Sequence, residues 1–301
     1  MSHRTGRRAA LLALPALAGC AAPLPPVEGT GTGAEAEALL ARSAAAHGLP
    51  ALGAARDLAV RYEGEWPGLI DRLQPALVDK GFRGGSEERL LLRAGIVAQQ
   101  HSGPAGRKAV VRRAEATGPG EVRVWFNGEE ARDAERRAAA ALVVDGYSLF
   151  LLGPMHLARL RAGGRPMRLA LAGDERVSVD GVAHDCQVLR ARLAPGLGFS
   201  EAEELALFID RAEGLMRRVR FSLNGLESTR GAVAEVDCSG HLARDGIRWP
   251  TRFHERLLRP LPLPVHDWRL TGLDLDRGVE AGEVGGPAFL GRAARPAAPL
   301  G

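Results

Sequence analysis

Lysine is almost missing from this chain of 301 residues: Lys80 and Lys108 are the only two, and arginine carries nearly all the positive charge. That bias reflects coding composition rather than a surface built for polyanions. The formal charge of +4 also depends on the start of the chain. Arg4, Arg7 and Arg8 leave with residues 1–19, no acidic residue leaves with them, and the remainder carries +1. Nucleic acid is therefore not an expected partner. Aromatic residues make up only 5% of the chain, which argues against a sugar-stacking surface. Cysteine is limited to Cys20, Cys186 and Cys238. The histidines show neither His-x-His nor His-Glu-x-x-His spacing, so no metal site is expected. There is no Gly-x-Ser-x-Gly elbow, Gly163-Gly164 lacks phosphate-loop spacing, and no internal repeat is visible. We expect no catalytic residue and no cofactor.

The first twenty residues hold the strongest local signal. A basic start is followed by an apolar run from Ala9 to Ala18 and by Leu17-Ala18-Gly19-Cys20. This reads as an export signal: the basic end stays in the cytosol, the apolar run enters the translocase, and small residues admit a peptidase. A run of about ten residues is too short to span a bilayer. An ordinary secretory signal is the alternative reading. Leu-Ala-Gly-Cys resembles the lipobox of bacterial lipoproteins, which implies a diacylglyceryl thioether on Cys20, cleavage after Gly19 and acylation of the new amino terminus. Two or more acyl chains anchor a protein stably where one does not. Ala21 and Ala22 supply no aspartate of the inner-membrane retention type. By resemblance to lipoproteins of diderm bacteria, the expected location is the outer membrane, lipid-anchored and facing the periplasm. In that oxidising compartment Cys186 and Cys238 either form a disulfide, if their Cα atoms come within about 7 Å, or serve as two small buried hydrophobes.

The chain divides into a signal peptide (1–19), a flexible Pro/Gly/Thr-rich tether (20–33), a single folded domain (34–280) and a loosely ordered tail (281–301). Helical spacing predicts a helix over Ala34–Ala46, closed by His47-Gly48, and a second over Ala131–Val144. Pro75 interrupts any helix between Leu69 and Lys80. Period-two alternation predicts strands at Asp57–Tyr62, Arg89–Val97, Arg107–Arg113 and Val122–Phe126, with Gln99–Gly106 as a turn-rich connection. Further strands are predicted at Arg168–Ala172, Arg176–Val179, Val182–Leu193, Leu205–Asp210, Leu215–Asn224, Ala232–Cys238, Ile247–Leu258 and Trp268–Asp276. Asn127-Gly128, Asp180-Gly181 and Asp245-Gly246 mark tight turns. In Leu215–Asn224, Leu215, Val219, Phe221 and Leu223 face one way while Arg218, Arg220, Ser222 and Asn224 face solvent. Short strands at regular spacing, with only two helices, imply a mainly β antiparallel sheet that curls into a barrel or half-barrel.

The unit Leu207–Val219, with Ile209-Asp210, a Gly214 turn and outward arginines, followed by Asp245-Gly246-Ile247-Arg248-Trp249-Pro250, resembles the C-terminal half of the LolA/LolB-like periplasmic lipoprotein-sorting superfamily. The pattern covers about residues 180 to 258. It implies an unclosed antiparallel β-barrel, lidded by a few helices, whose apolar concave face holds acyl chains. The inward candidates are Val219, Phe221, Leu223, Val236, Ile247 and Phe253, with a packed core and no cavity as the competing reading. The lipobox departs from a soluble carrier, and the chain is longer than a typical receptor of this kind. Three histidines stand beside acids, at His184-Asp185, His254-Glu255 and His266-Asp267, but strand neighbours point to opposite faces and form no dyad. Pro260-Leu261-Pro262-Leu263-Pro264 is a rigid extended segment leading to His266 and Trp268, a corner that either binds or packs on the sheet. The expected function is non-catalytic binding of a lipid or a lipoprotein acyl moiety. One alternative is an envelope protein–protein interaction module with a filled barrel. A second is a hydrolase with a cross-strand His and acid site.

Overall fold

The computed structural model describes residues 24, 27, 32–115 and 117–288. The export signal and Cys20 lie outside the described residues, as do 289–301 of the expected tail. Alanine-rich sequence after Gly33 winds into α1 (Ala34–His47), one residue longer than predicted. It stops at Gly48, whose φ of 103° is left-handed and whose Cβ, if present, would lie 2.3 Å from the Gly246 carbonyl oxygen. A short α2 (Leu49–Ala54) leads into β1 (Asp57–Glu65). Pro75 splits the next segment into α3 (Ile70–Leu73) and α4 (Pro75–Val78), opening the second turn where its missing N–H costs nothing.

A meander follows: β2 (Gly85–Leu91), β3 (Ile96–Gly103), β4 (Gly106–Arg113), β5 (Glu121–Phe126) and the two-residue β6 (Glu129–Glu130). The predicted connection over Gln99–Gly106 is a strand as far as Gly103. Gln99 and His101 sit in ladder register opposite Glu88 and Ser86, so polar side chains that read as a loop continue the strand. Then come α5 (Ala134–Leu152) and α6 (Pro154–Ala162), bent by 110° at the Gly153-Pro154 step. No single described helix is long and apolar enough to cross a membrane.

The second meander comprises β7 (Met167–Val179), β8 (Val182–Leu193), β9 (Glu203–Asp210), β10 (Met216–Ser222) and β11 (Val233–Ser239). It ends in β12 (Leu242–Arg244), β13 (Ile247–Trp249), β14 (Arg252–Arg259) and β15 (Leu263–Leu275), followed by α7 (Ala281–Val284). The two predicted pieces at 168–172 and 176–179 are one strand, with a register shift between Leu171 and Asp174 that Gly173 absorbs at φ 88°. The single strand predicted over Ile247–Leu258 is two. Pro250, which has no N–H to give a ladder, separates β13, paired only with β12, from β14 in the main sheet. Asn127-Gly128, Asp180-Gly181 and Asp245-Gly246 all turn with positive φ at both residues, the geometry that matches strand twist in two-residue hairpins.

Thirteen strands form one antiparallel sheet in the order β6-β5-β4-β3-β2-β1-β15-β14-β11-β10-β9-β8-β7. The first strand pairs with the last, from Leu58 opposite Leu275 to Glu65 opposite Asp267. A sheet this wide curls rather than staying open and flat. Its edges, β6 and β7, do not pair, so the barrel is unclosed, and α5 and α6 connect these two edges.

Inner-face residues of both meanders pack on α1, α5 and α6 in the main core, among them Leu58, Leu189, Leu207, Val219, Leu39, Leu149 and Met155. On β4 the alternation is direct: Val110 packs inward on Ala140 and Val144 of α5, while Val111 joins an outer cluster with Trp125 and Val284. The folded part therefore reaches α7, four residues past the expected boundary at 280. Leu24, from the expected tether, is buried against Val177, Cys186 and Phe208 on the outer face. The outward arginines of β10 are not simply solvated. Arg218 and Arg220 face Asp237 and Glu235 across the ladder, and Arg256 of β14 joins both acids.

Cys186 and Cys238 are both free, buried thiols. The disulfide weighed from the sequence is not formed, because Cys186 points into the outer cluster and Cys238 into the inner core.

Candidate functional site

Alternation along β10, β11 and β14 sends Phe221, Ala234, Glu255 and Leu257 to the concave face, where α5 fills much of the space. Between them remains an apolar cavity of about 360 Å³. Its roof is the α3–α4 segment, with Ile70, Leu73, Leu77 and Val78, and its side is Leu142, Val143, Gly146, Tyr147 and Phe150 of α5. The turn Ser228–Ala232 and Pro260 complete the wall. Leu73 in this lining is 51% exposed, and Leu69 (52%) and Leu261 (58%), next in sequence to the lining residues Ile70 and Pro260, are also in contact with solvent. Gln74 ties the roof to the far rim: its amide donates to the Ser228 carbonyl at 3.0 Å and its oxygen accepts from the Ser228 hydroxyl at 3.1 Å.

One part of the wall is charged. Arg83 is 5% exposed and lies over the Trp66 ring, 4.4 Å from its centroid. It donates to the Leu77 carbonyl at 2.9 Å and to the Tyr147 hydroxyl at 3.0 Å. Trp66 stacks on His266 at 3.8 Å, His266 on Trp268 at 4.5 Å, and Trp268 on Phe253 at 5.0 Å. Gly64 makes room for this stack, since a Cβ there would fall 2.6 Å from His266 Nε2. Tyr147 Oη also lies 3.2 Å from His266 Nδ1. Burial holds His266 neutral, well below the usual histidine range, and the Arg83 charge adds to that. Glu255, beside them on the wall, is pushed up to about 7 by burial, with Arg83 pulling the other way.

Behind Arg83 the concave face of β2–β4 is polar. Gln99 donates to Glu88 at 2.8 Å, and His101 Nε2 is 3.2 Å from Gln99 Oε1. Lys108 pairs with Asp79 at 2.6 Å. Burial raises Glu88 to about 8 and pushes His101 well down, so both are neutral near pH 7.

Of the six inward candidates, Phe221 and Leu223 line the cavity. Val219 and Val236 are buried in the core beside it, and Ile247 sits on the β12–β13 ribbon next to Gly48. Phe253 is buried on Trp268 and borders a separate polar groove of about 790 Å³ that includes His254, Asp267 and Arg252. The roof residues and Arg83 were missed by sequence reasoning. Ile70, Leu73 and Leu77 do carry helical spacing, but Pro75 masked it. Nothing in the sequence distinguishes Arg83 from the other arginines.

The histidines find acids across strands rather than beside themselves in sequence. His184 Nδ1 lies 2.8 Å from Asp210 Oδ2, which Arg217 also holds at 3.1 Å, and His254 bonds Asp267 opposite it. Neither pair lines the apolar cavity. Among the described residues no group of three or more His, Cys, Asp or Glu side chains is placed to hold a metal ion.

No family model matches the sequence, and no curated protein matches it. Among solved structures the chain is similar to a DUF1329 family protein from Desulfovibrio piger, with a TM-score of 0.49, 13% identity and coverage of 85% of this chain and 98% of that one. It is also similar to a protein domain assigned to outer membrane lipoprotein sorting from Vibrio parahaemolyticus (0.49, 12% identity, 83% and 97% covered). A third is a LolA superfamily protein from Nitrosomonas europaea (0.47, 13% identity, 83% and 96% covered).

Proposed function

We propose that this chain is a lipoprotein, anchored through Cys20 in the outer membrane and facing the periplasm, that holds a lipid or a lipoprotein acyl moiety in the concave cavity without covalent chemistry. The observation that carries the reading is the cavity: about 360 Å³, walled mainly by Leu, Val, Ile and Phe side chains, with the half-exposed Leu73 in its lining. That volume falls within the range of about 300–1,000 Å³ usual for ligand pockets, and an apolar wall with few polar groups suits an acyl chain. The lipobox-like start of the sequence supports the anchor. The hydrolase alternative has less support, since His184–Asp210 and His254–Asp267 lie away from the cavity and Arg217 already engages Asp210.

The test is native mass spectrometry of a Cys20→Ser variant purified from a bacterial periplasm, before and after delipidation. We expect a bound mass in the lipid range that is lost on delipidation and returns on adding phospholipid or fatty acid. An apo mass throughout overturns the reading. The outcome would then favour the envelope interaction module, which has its own observation behind it: α1, α5 and α6 pack into the core on the concave face, and Leu69, Leu73 and Leu261 are large apolar side chains left exposed.

A further inference from the structure

Two other buried basic side chains, Lys108 and Arg112, pair with Asp79 and Asp145, while the buried Arg165 donates to the Pro195 and Glu115 carbonyls. Arg83 has no carboxylate within ion-pair distance among the described residues. Its two hydrogen bonds go to neutral oxygens, and a guanidinium has five N–H donors. A buried charge without a counter-ion is costly, and this one lies on the wall of an apolar cavity.

Resting on the lipid-binding reading, we propose that the occupant is a single-chain amphiphile ending in a carboxylate, its headgroup on Arg83 and its chain running along Leu73, Val143, Phe150 and Phe221. The volume favours one chain, since about 360 Å³ is near the lower end of the usual range for ligand pockets. The guanidinium supplies the planar pair of donors that fits a carboxylate.

Glu255 sets the condition under which that site is free. Its side chain lines the same cavity and has no hydrogen-bond partner among the described residues. The groups around it are Arg83, Tyr147, Arg230 and, directly across the β14–β15 ladder, His266. Burial holds His266 neutral, and the Tyr147 phenol is held neutral above its ordinary range, so neither changes charge near pH 7. Below about pH 7 Glu255 is neutral, and the Arg83 charge is left for the ligand. Above it, ionised Glu255 competes with the ligand carboxylate, so affinity for the acid falls as pH rises.

The experiment titrates the delipidated Cys20→Ser chain by calorimetry with a saturated fatty acid, and with the alcohol and the amine of the same chain length, at about pH 6 and about pH 8. At the lower pH the acid should bind about tenfold more tightly than the alcohol, as expected for a charge-assisted hydrogen bond. Its advantage should shrink at the higher pH, and Glu255→Gln should restore it there. Arg83→Gln should lower acid affinity about tenfold relative to that of the alcohol. Equal affinity for acid and alcohol in the unsubstituted cavity overturns the inference while leaving lipid binding intact, whether or not the Arg83 variant folds. Tighter binding of the amine overturns it in favour of Glu255 as the headgroup site. Binding of none of the three overturns the inference, and if phospholipid also fails to bind, the lipid-binding reading falls with it.

Discussion

Burial pushes the Cys186 thiol up to about 12 and raises the Cys238 thiol further, in both cases mainly by desolvating the thiolate. Thiolate is the reacting form, so both sulfurs should resist alkylation in the native protein at neutral pH and react fully in denaturant. Mass-resolved iodoacetamide labelling checks this; rapid native modification of either would contradict the burial described here. The same scale shows what single residues concealed. Glu88, Gln99, His101 and Lys108 are in phase with Leu90, Val97 and Val110, so strict alternation already placed them inward. The polarity of Gln99 and His101 made their segment read as a loop, because an inward polar residue is plausible only once its partner on the next strand is known. Glu255 was visible only as the neighbour of His254. In phase with Phe253 and Leu257, it belongs to the opposite face.

Helix α5 marks where element-level reading stopped short. Its first turns were legible, but Tyr147–Leu152 is apolar without a polar stripe, and such a run does not identify itself as helix. The reason is its setting: Ala140 and Val144 pack on β4 and β5, while Leu149, Phe150 and Leu151 face the main core, so the helix is buried on most sides. Because α5 both packs in the main core and forms one side of the cavity, its stability should couple to both. Its start is fixed by Asp133, whose carboxylate accepts from the Arg136 amide at 2.8 Å. Asp133→Ala should lower unfolding free energy by about 1 kcal/mol, the usual cost of losing an N-cap. Urea unfolding reads that change directly; an unshifted midpoint with an unchanged slope would mean that packing alone sets the helix start. The paired strands were more legible because their Asn-Gly and Asp-Gly turns fix both position and register, whereas Pro250 splits β13 from β14 where apolar spacing alone continues.

At the scale of the whole molecule, an unclosed barrel that keeps polar groups inside should depend on pH in two opposed ways. Glu88 and Glu203 are raised to about 8 and Glu255 to about 7, all mainly by burial. Each binds its proton more tightly folded than unfolded. Its contribution is therefore complete below the ordinary carboxylate value near 4.5 and declines as pH rises through the folded value. His47 and His156 are lowered to about 4, His241 to about 3, and His101 and His266 well below the usual range, again mainly by burial. These five must stay neutral to remain buried, so their contribution is complete above the ordinary histidine value near 6.5 and is lost as pH falls below it. Each group changes stability by up to about 1.4 kcal/mol per pH unit within its window. Between about 4.5 and 6.5 the two sets oppose each other; above 6.5 only the carboxyls act, and below 4.5 only the histidines. Thermal unfolding should therefore show highest Tm in the mildly acidic range, falling toward pH 8 and again below pH 4.5. Glu88→Gln separates the limbs, since it removes one titrating carboxyl while keeping an oxygen for the Gln99 amide. It should flatten the alkaline limb and leave the acid limb unchanged. A Tm that rises steadily to pH 8, or a variant that shifts both limbs together, would show that the buried carboxyls do not set the alkaline side.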